Sequence, residues 1–374
     1  MEITLERSRI LDSLSHACRI IERRNVSPIS CHILLQTVDG SLKMQASGPE
    51  IEITEIIPAN VKIEGSATIP AQLLHDIVRK LPDGSELRLS RDSSRGDGIA
   101  VASGCSNFFL QSFSEKGFPS LEKEDCKHSF KLKSSVLRRL IERTHFAMAT
   151  EETRYYLNGI FFHLQEEKGR SQLCAAATDG HRLAVAHTDI SEEIKGMPSI
   201  IVPRKAVHEI RRLLSMEDSD IKINISEARI YLEISSSLFM SARLIDGIFP
   251  RYQDFIPDTN DKELRVRCDN LRRAVDRVST VSSERSRAVK FSLSPGQLSM
   301  TVDNPDIGKA IEELSVSYSS DSMDIGFNSK YILEIAENIS GDGMVFLLKD
   351  SNSSALIRGE KDEDAFCILM PIRI

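Results

Sequence analysis

The strongest constraint on this chain is a pattern that recurs six times along its 374 residues. A stretch with helical periodicity is followed by short alternating or β-branched runs separated by turn signals. The helical stretches are of two alternating kinds. The first kind is "LERSRILDSLSHACRIIERR" from Leu5, "KSSVLRRLIERTHF" from Lys133 and "DNLRRAVDRVSTV" from Asp269. The second is "PAQLLHDIVRKL" from Pro70, "PRKAVHEIRRLL" from Pro203 and "NSKYILEIAENI" from Asn328. Leu271, Ala274, Val275 and Val278 follow the i, i+3, i+4, i+7 spacing of a helix with one buried face. Pro70 and Pro203 are predicted at the first helical position, and Asp269 and Asn328 at caps. Between the helices, runs such as "ILLQTVDGSLKMQAS", "CAAATDGHRLAVAH" and "VKFSLSPGQLSMTVD" read as hairpins turned by Asp-Gly or Pro-Gly.

The implied unit is a short strand leading into a helix, then about three antiparallel strands. It occurs twice per domain in three similar domains, an α+β architecture. The second-kind helices start at 70, 203 and 328, a recurrence of 133 and then 125 residues. So long a period indicates duplication of a whole domain, since solenoid repeats are much shorter. The polar stretches "SLEKEDCKHS" from Ser120 and "IPDTNDKE" from Ile256 are the natural linkers, giving domains 1–127, 128–258 and 259–374.

The formal net charge of −7 argues on its face against a nucleic-acid partner. Its distribution argues the other way. The six helical segments and their flanks carry 22 basic residues against 11 acidic ones, which leaves about −18 for the rest. Arg139 with Arg143, and Arg273 with Arg277, are like-charge i, i+4 pairs that destabilise an isolated helix slightly. The alternative is a solvated face on each amphipathic helix, but the sign repeats in five helices of six. Aromatic residues do not interleave with the basic ones, so phosphate contact without base reading fits better than stacking on single strands.

Seven scattered cysteines lack the close spacing of a zinc or redox pair and read as buried free thiols, with no metal and no cofactor. No apolar run approaches the ~20 residues that span a bilayer, and the expected location is cytoplasmic, with no membrane partner.

In "CAAATDGHRLAVAH", Asp179, His181 and Arg182 lie side by side. One reading is a metal-dependent phosphodiesterase in which Asp179 and His181 work as acid/base pair or metal ligands and Arg182 holds a phosphate. A second is a two-residue hairpin turn at Asp179–Gly180, and a third is a ligand-binding loop.

Six further motifs carry a resemblance. "RYYLNG" (from Arg154), "ATDGHRLAV" (from Ala177), "IVPRKAV" (from Ile201), "DGIFPRYQDFIP" (from Asp246), "GFNSKYILE" (from Gly326) and "MPIRI" (from Met370) together resemble the bacterial DNA polymerase III beta subunits, the sliding clamps. The resemblance runs from "SPIS" near the amino terminus, through "NPD" at Asn304, to the last motif. It implies a DNA-clamp fold and a head-to-tail homodimer, a ring of six domains around double-stranded DNA with helices lining the hole. It also implies a non-catalytic processivity factor of nucleoid-associated location. The implied partners are the clamp loader complex, the DNA polymerase III alpha subunit, and other polymerases and repair proteins carrying clamp-binding peptides.

Carried over motif by motif, the peptide groove is Arg154, Tyr156, Leu157, Thr178, Gly180, His181, Arg182, Leu183, Pro250, Phe255, Asn328, Tyr331, Ser354, Ile368, Met370, Pro371, Ile372 and Arg373. Two or three buried apolar peptide side chains at roughly 1.5–3 kcal/mol each, less ordering, imply affinities on the order of micromolar. DNA contacts fall on Arg24, Arg139, Arg143, Arg204, Lys205, Arg273 and Arg277, and the dimer interface on Phe108, Thr280, Val281, Glu312 and Glu313. The chain departs from the family pattern at Asp254 and Asn352 beside the groove and at Glu151 near a DNA contact. A scaffold that binds peptides but never DNA is the remaining alternative.

Overall fold

The computed structural model describes all residues except 22–26, 92–96, 120–123, 168, 191–193, 215–217 and 284–286. In chain order, β1 (Glu2–Glu6) enters α1 (Arg7–Ile20), followed by β2 (His32–Val38), β3 (Ser41–Ser47), β4 (Ile51–Pro58) and a short β5 (Asn60–Ile63). The second repeat is β6 (Ser66–Pro70), α2 (Ala71–Lys80), β7 (Glu86–Arg91), β8 (Gly98–Ser103) and β9 (Ser106–Gln111). The third is β10 (His128–Lys133), α3 (Ser134–Thr144), β11 (Gly159–Glu167), β12 (Arg170–Thr178) and β13 (Arg182–Asp189). The fourth is β14 (Ile200–Pro203), α4 (Arg204–Leu213), β15 (Asp220–Ile225), β16 (Arg229–Glu233) and β17 (Leu238–Arg243). The fifth is β18 (Lys262–Arg267), α5 (Cys268–Ser279), β19 (Ala288–Ser294), β20 (Gln297–Asn304), β21 (Gly308–Ser315) and a two-residue β22 (Ser317–Tyr318). The sixth is β23 (Met323–Asn328), α6 (Ser329–Asn338), β24 (Gly343–Leu348), β25 (Ala355–Gly359) and β26 (Ala365–Leu369).

Each helix starts on the residue after its strand, so the cap residue is the strand's last, with extended backbone. This corrects two sequence expectations. Pro70 and Pro203 end β6 and β14, one position before the helix. Both close edge strands, where a missing N–H removes nothing from the ladder. Asp269 sits in the first turn of α5, and Arg267 holds the cap position. Asn328 caps α6 as expected, its Oδ1 accepting from the Lys330 amide at 3.0 Å.

Two compact units emerge. One comprises Met1–Leu132 and Ser219–Arg243, and the other Lys133–Asp218 and Leu244–Ile374. The first holds a five-stranded sheet ordered β5-β1-β7-β8-β9 and an eight-stranded sheet ordered β10-β15-β16-β17-β4-β3-β2-β6. Its core gathers Ile10, Leu14 and Ala17 of α1 and Leu74, Ile77 and Val78 of α2 against strand residues such as Ile3, Leu35, Met44 and Leu89. Each large side chain so buried contributes roughly 1.5–3 kcal/mol. Glu55 of β4 also points under α1, where Ser13 Oγ donates to it at 2.6 Å and His16 Nδ1 lies at 2.8 Å, so the buried carboxylate is partnered.

The second unit holds a nine-stranded sheet ordered β14-β11-β12-β13-β26-β25-β24-β18-β22 and a four-stranded sheet ordered β21-β20-β19-β23. Phe291, Phe327 and Phe346 are among its fully buried side chains and lie with ring centroids 5.4–6.4 Å apart.

Turn chemistry sets the hairpins. Pro295–Gly296 joins the paired residues Ser294 and Gln297, with Gly296 at φ +76°, so proline and the positive-φ glycine occupy the places a type II turn requires. None of the seven cysteines is joined in a disulfide, but only Cys174, Cys268 and Cys367 are buried, and Cys105 is exposed, which corrects the expectation of buried thiols. Among the described residues no helix is long and apolar enough to cross a membrane.

Candidate functional site

The site grows from the connection between β12 and β13. Thr178 pairs with Leu183, so four residues connect the last paired positions: Asp179, Gly180, His181 and Arg182, the last of which also opens β13 by pairing with Leu369. The expected two-residue turn is therefore corrected. Gly180 takes φ +88°, but Asp179 is not in the left-handed region that a type I′ turn needs at both central positions. The Asp179 carboxylate builds the connection instead. Its Oδ1 accepts from the amides of His181 at 2.9 Å and Arg182 at 3.0 Å, while Oδ2 accepts from Arg182 Nε at 3.1 Å.

Arg182 is buried, with 6 % of its surface exposed. Besides Asp179 it donates to Glu334 Oε2 at 2.5 Å and to the Phe146 carbonyl at 2.5 Å, and its guanidinium lies 4.2 Å from the Tyr331 ring centroid. A guanidinium fits because it is planar, carries five donors and stacks on aromatic faces, which lysine cannot match. His181 remains exposed and lies beside Tyr331, ring centroids 6.5 Å apart and nearly parallel.

Beneath this wall the strands supply an apolar floor. Leu157, Leu183 and Ile368 are buried in one cluster with Ala176, Phe249 and Tyr252. Tyr252 O–H faces His163 Nε2 at 3.0 Å, and His163 Nδ1 faces the Leu164 carbonyl at 3.2 Å. Burial lowers the His163 pKa and pushes the Tyr252 phenol upward, so both stay neutral and a Tyr252 O–H to Nε2 hydrogen bond is consistent. That bond anchors the 250–256 segment, which presents half-buried Pro250 and Phe255, 66 % exposed.

On the remaining sides, the Met370 amide donates to the His181 carbonyl at 3.0 Å, leaving the Met370 side chain 49 % exposed beside half-buried Pro371 and Ile372 and exposed Arg373. Arg154 crosses Gly180, where a Cβ would lie 2.5 Å from its Nη1. Glu151 holds Arg154 at 2.8 and 3.1 Å and raises its pKa, so a carboxylate orients the arginine that the resemblance assigns to the groove. Tyr156 is half-buried against the floor cluster, Thr178 Oγ1 donates to the Arg182 carbonyl at 2.7 Å, and the Ser354 carbonyl accepts from Asn260. Asp254 and Asn352 are exposed.

The arrangement sets exposed and half-buried apolar side chains beside a rigid polar wall, suited to side-chain docking. The phosphodiesterase reading fails on it, because both Asp179 oxygens are committed to the chain's own donors. Sequence reasoning missed Glu334, Phe146, His163 and Tyr252 as supports. Tyr252 and Glu334 lay inside quoted motifs and Phe146 ended a quoted helical stretch, but nothing local marked any of them as a support, and His163 lay in no quoted stretch.

The comparisons with known proteins agree along the whole length. Residues 1–122, 131–251 and 253–373 match the N-terminal, central and C-terminal domains of the DNA polymerase III beta subunit. The chain belongs to the DNA polymerase III beta subunit family. It is 37% identical over 374 residues to the beta sliding clamp of Caulobacter vibrioides and 35% identical over 375 residues to that of Escherichia coli, covering 100% of each chain in both cases. A DnaN sliding clamp from Bartonella birtlesii, solved bound to griselimycin, superimposes with a TM-score of 0.96 at 44% identity and full coverage of both chains. Members of this family are processivity factors and have no catalytic step, consistent with an Asp179 that serves the backbone.

The basic residues expected to meet DNA fall into three states. Arg24 lies outside the described residues. Arg204, Lys205 and Arg273 are exposed, and among the described residues Arg204 and Arg273 form no ion pair. Arg139, Arg143 and Arg277 are held internally: Arg139 by Asp364 at 2.8 Å, Arg277 by Glu312 at 3.2 Å, and Arg143 by Asp362 at 3.3 Å together with the Asn338 carbonyl and Ser340 Oγ. Of the expected interface residues, Phe108 is 38% exposed on the edge strand β9. Glu312 and Glu313 lie on the edge strand β21, and Thr280 and Val281 follow α5.

Proposed function

We propose that this chain is the ring-forming processivity factor of a bacterial replicase. It encircles double-stranded DNA as a head-to-tail homodimer and tethers the alpha subunit, other polymerases, repair proteins and the clamp loader complex through the groove around His181 and Met370. The carrying observation is the sixfold strand-helix-three-strand repeat together with two of its edge strands, β9 bearing Phe108 and β21 bearing exposed Ile311. Bare edges invite pairing with another chain, and a heterologous pairing that closes makes a ring. Three domains bounded near 127 and 258 fit six units per ring, and such a protein acts at the nucleoid.

Phosphate contact falls first on Arg204, Lys205 and Arg273, which are exposed at the surface. Arg139 and Arg277 reach phosphate only by leaving a carboxylate, and Arg143 is the most enclosed. Contacts that ignore base identity permit sliding, while enclosure gives residence without tight binding.

The test is retention on closed circular DNA after loading, with release on linearisation. Equal loss from both forms would refute encirclement. Charge reversal at Arg204 and Arg273 should reduce loading, and unchanged loading would favour the scaffold reading. A peptide ending in Leu-Phe should bind at roughly micromolar affinity and lose it on Met370→Ala.

A further inference from the structure

Gly326 lies inside β23, the edge of the four-stranded sheet, paired with Lys290 on one side. On its open side an isolated antiparallel bridge joins it to Ile372, whose amide donates to the Gly326 carbonyl at 2.9 Å. Its φ is not positive, so conformational freedom does not call for glycine here. Space does. A Cβ at 326 would lie 2.3 Å from Ile374 Cγ2 and 2.5 Å from the Ile372 carbonyl oxygen, and the second of these is backbone that cannot swing aside. The Met370–Ile374 segment is thus stitched at two places, by the Met370 amide to His181 and by the Ile372 amide to Gly326. Met370 and Pro371 lie between the stitches.

We propose that Gly326 is a positioning residue for the peptide groove: its missing side chain lets Met370–Ile374 dock on β23 as an added strand, which fixes Met370 and Pro371 as a preformed wall. The inference rests on the groove reading above. A segment ordered before the ligand arrives spares the ligand the cost of ordering it, so undocking weakens binding without removing any group that touches the peptide. Docking also covers part of an otherwise bare strand edge.

The experiment measures fluorescence anisotropy of a labelled peptide ending in Leu-Phe with the full chain. Gly326→Ala should weaken binding about tenfold and Gly326→Val more, with the melting curve unchanged. Ile372→Pro removes the donor and should lose more than Ile372→Ala, which removes the same side chain but keeps the amide, so the idea stays testable even if Gly326→Val fails to fold. In a chain stopped after Pro371, Gly326→Ala should have no further effect. Wild-type affinity in Gly326→Ala, or an equal loss in the shortened chain, overturns the proposal. Absence of peptide binding by the wild type would instead refute the groove reading, and the proposal with it.

Discussion

Asp39–Gly40 and Asp179–Gly180 are the same dipeptide at the tips of two antiparallel hairpins, and they are built in opposite ways. Val38 pairs with Ser41, so Asp39 and Gly40 are the whole connection, at φ +48° and +73°, as a type I′ turn demands. A Cβ on Gly40 would meet nothing within 4 Å. At the second tip the connection is four residues long, the aspartate side chain replaces turn geometry as the organiser, and Arg154 lies over the glycine. The first tip needs only backbone freedom. The second needs a particular carboxylate, because it has to hold Arg182 and aim His181.

Six substitutions at five positions should separate the tips, from the largest effect to the smallest. Arg182→Ala leaves Asp179 and Glu334 without their shared cation, and a loss of about 2–4 kcal/mol is expected in denaturant unfolding, with peptide binding reduced more than tenfold. Asp179→Ala should lose about 1.5–3 kcal/mol by freeing two amides and Arg182, and Asp179→Asn should recover part of this because an amide oxygen still accepts. Equal losses from the two would show that charge on Arg182, rather than the turn amides, is what Asp179 serves. Gly180→Ala and Gly40→Ala should each lose roughly 1–2 kcal/mol from positive φ, but only the former should weaken peptide binding, since it alone displaces an arginine. Asp39→Asn should stay within about 0.5 kcal/mol, because asparagine accepts positive φ well. A large effect there would erase the distinction.

Much of the fold was legible because its signals are local. The spacing of Leu271, Ala274, Val275 and Val278 marks α5, Pro295–Gly296 marks a hairpin, and both stand where expected. The groove was legible only through resemblance, since its supports are distant in sequence. Arg182 meets Glu334 across 152 residues, and Arg143 meets the Asn338 carbonyl across 195. Nothing within a few residues of either arginine signals its partner. The contact division into two units was also hidden. It follows from the pairing of β17 with β4, where Met240 faces Ile53, and such edge pairing carries no turn or spacing signature.

The direct join of every strand to its helix limits where this gene can gain or lose codons. A single residue inserted after Pro70 or Pro203 would rotate the following helix by about 100° relative to its strand and carry its apolar stripe off the sheet. The same insertion at an open tip such as Gly40 or Gly296, where a Cβ would meet nothing within 4 Å, lengthens a loop and leaves the packing intact. The hairpin tips therefore tolerate a change of length that the junctions do not, and the six strand-to-helix junctions act as a reading frame for the third dimension.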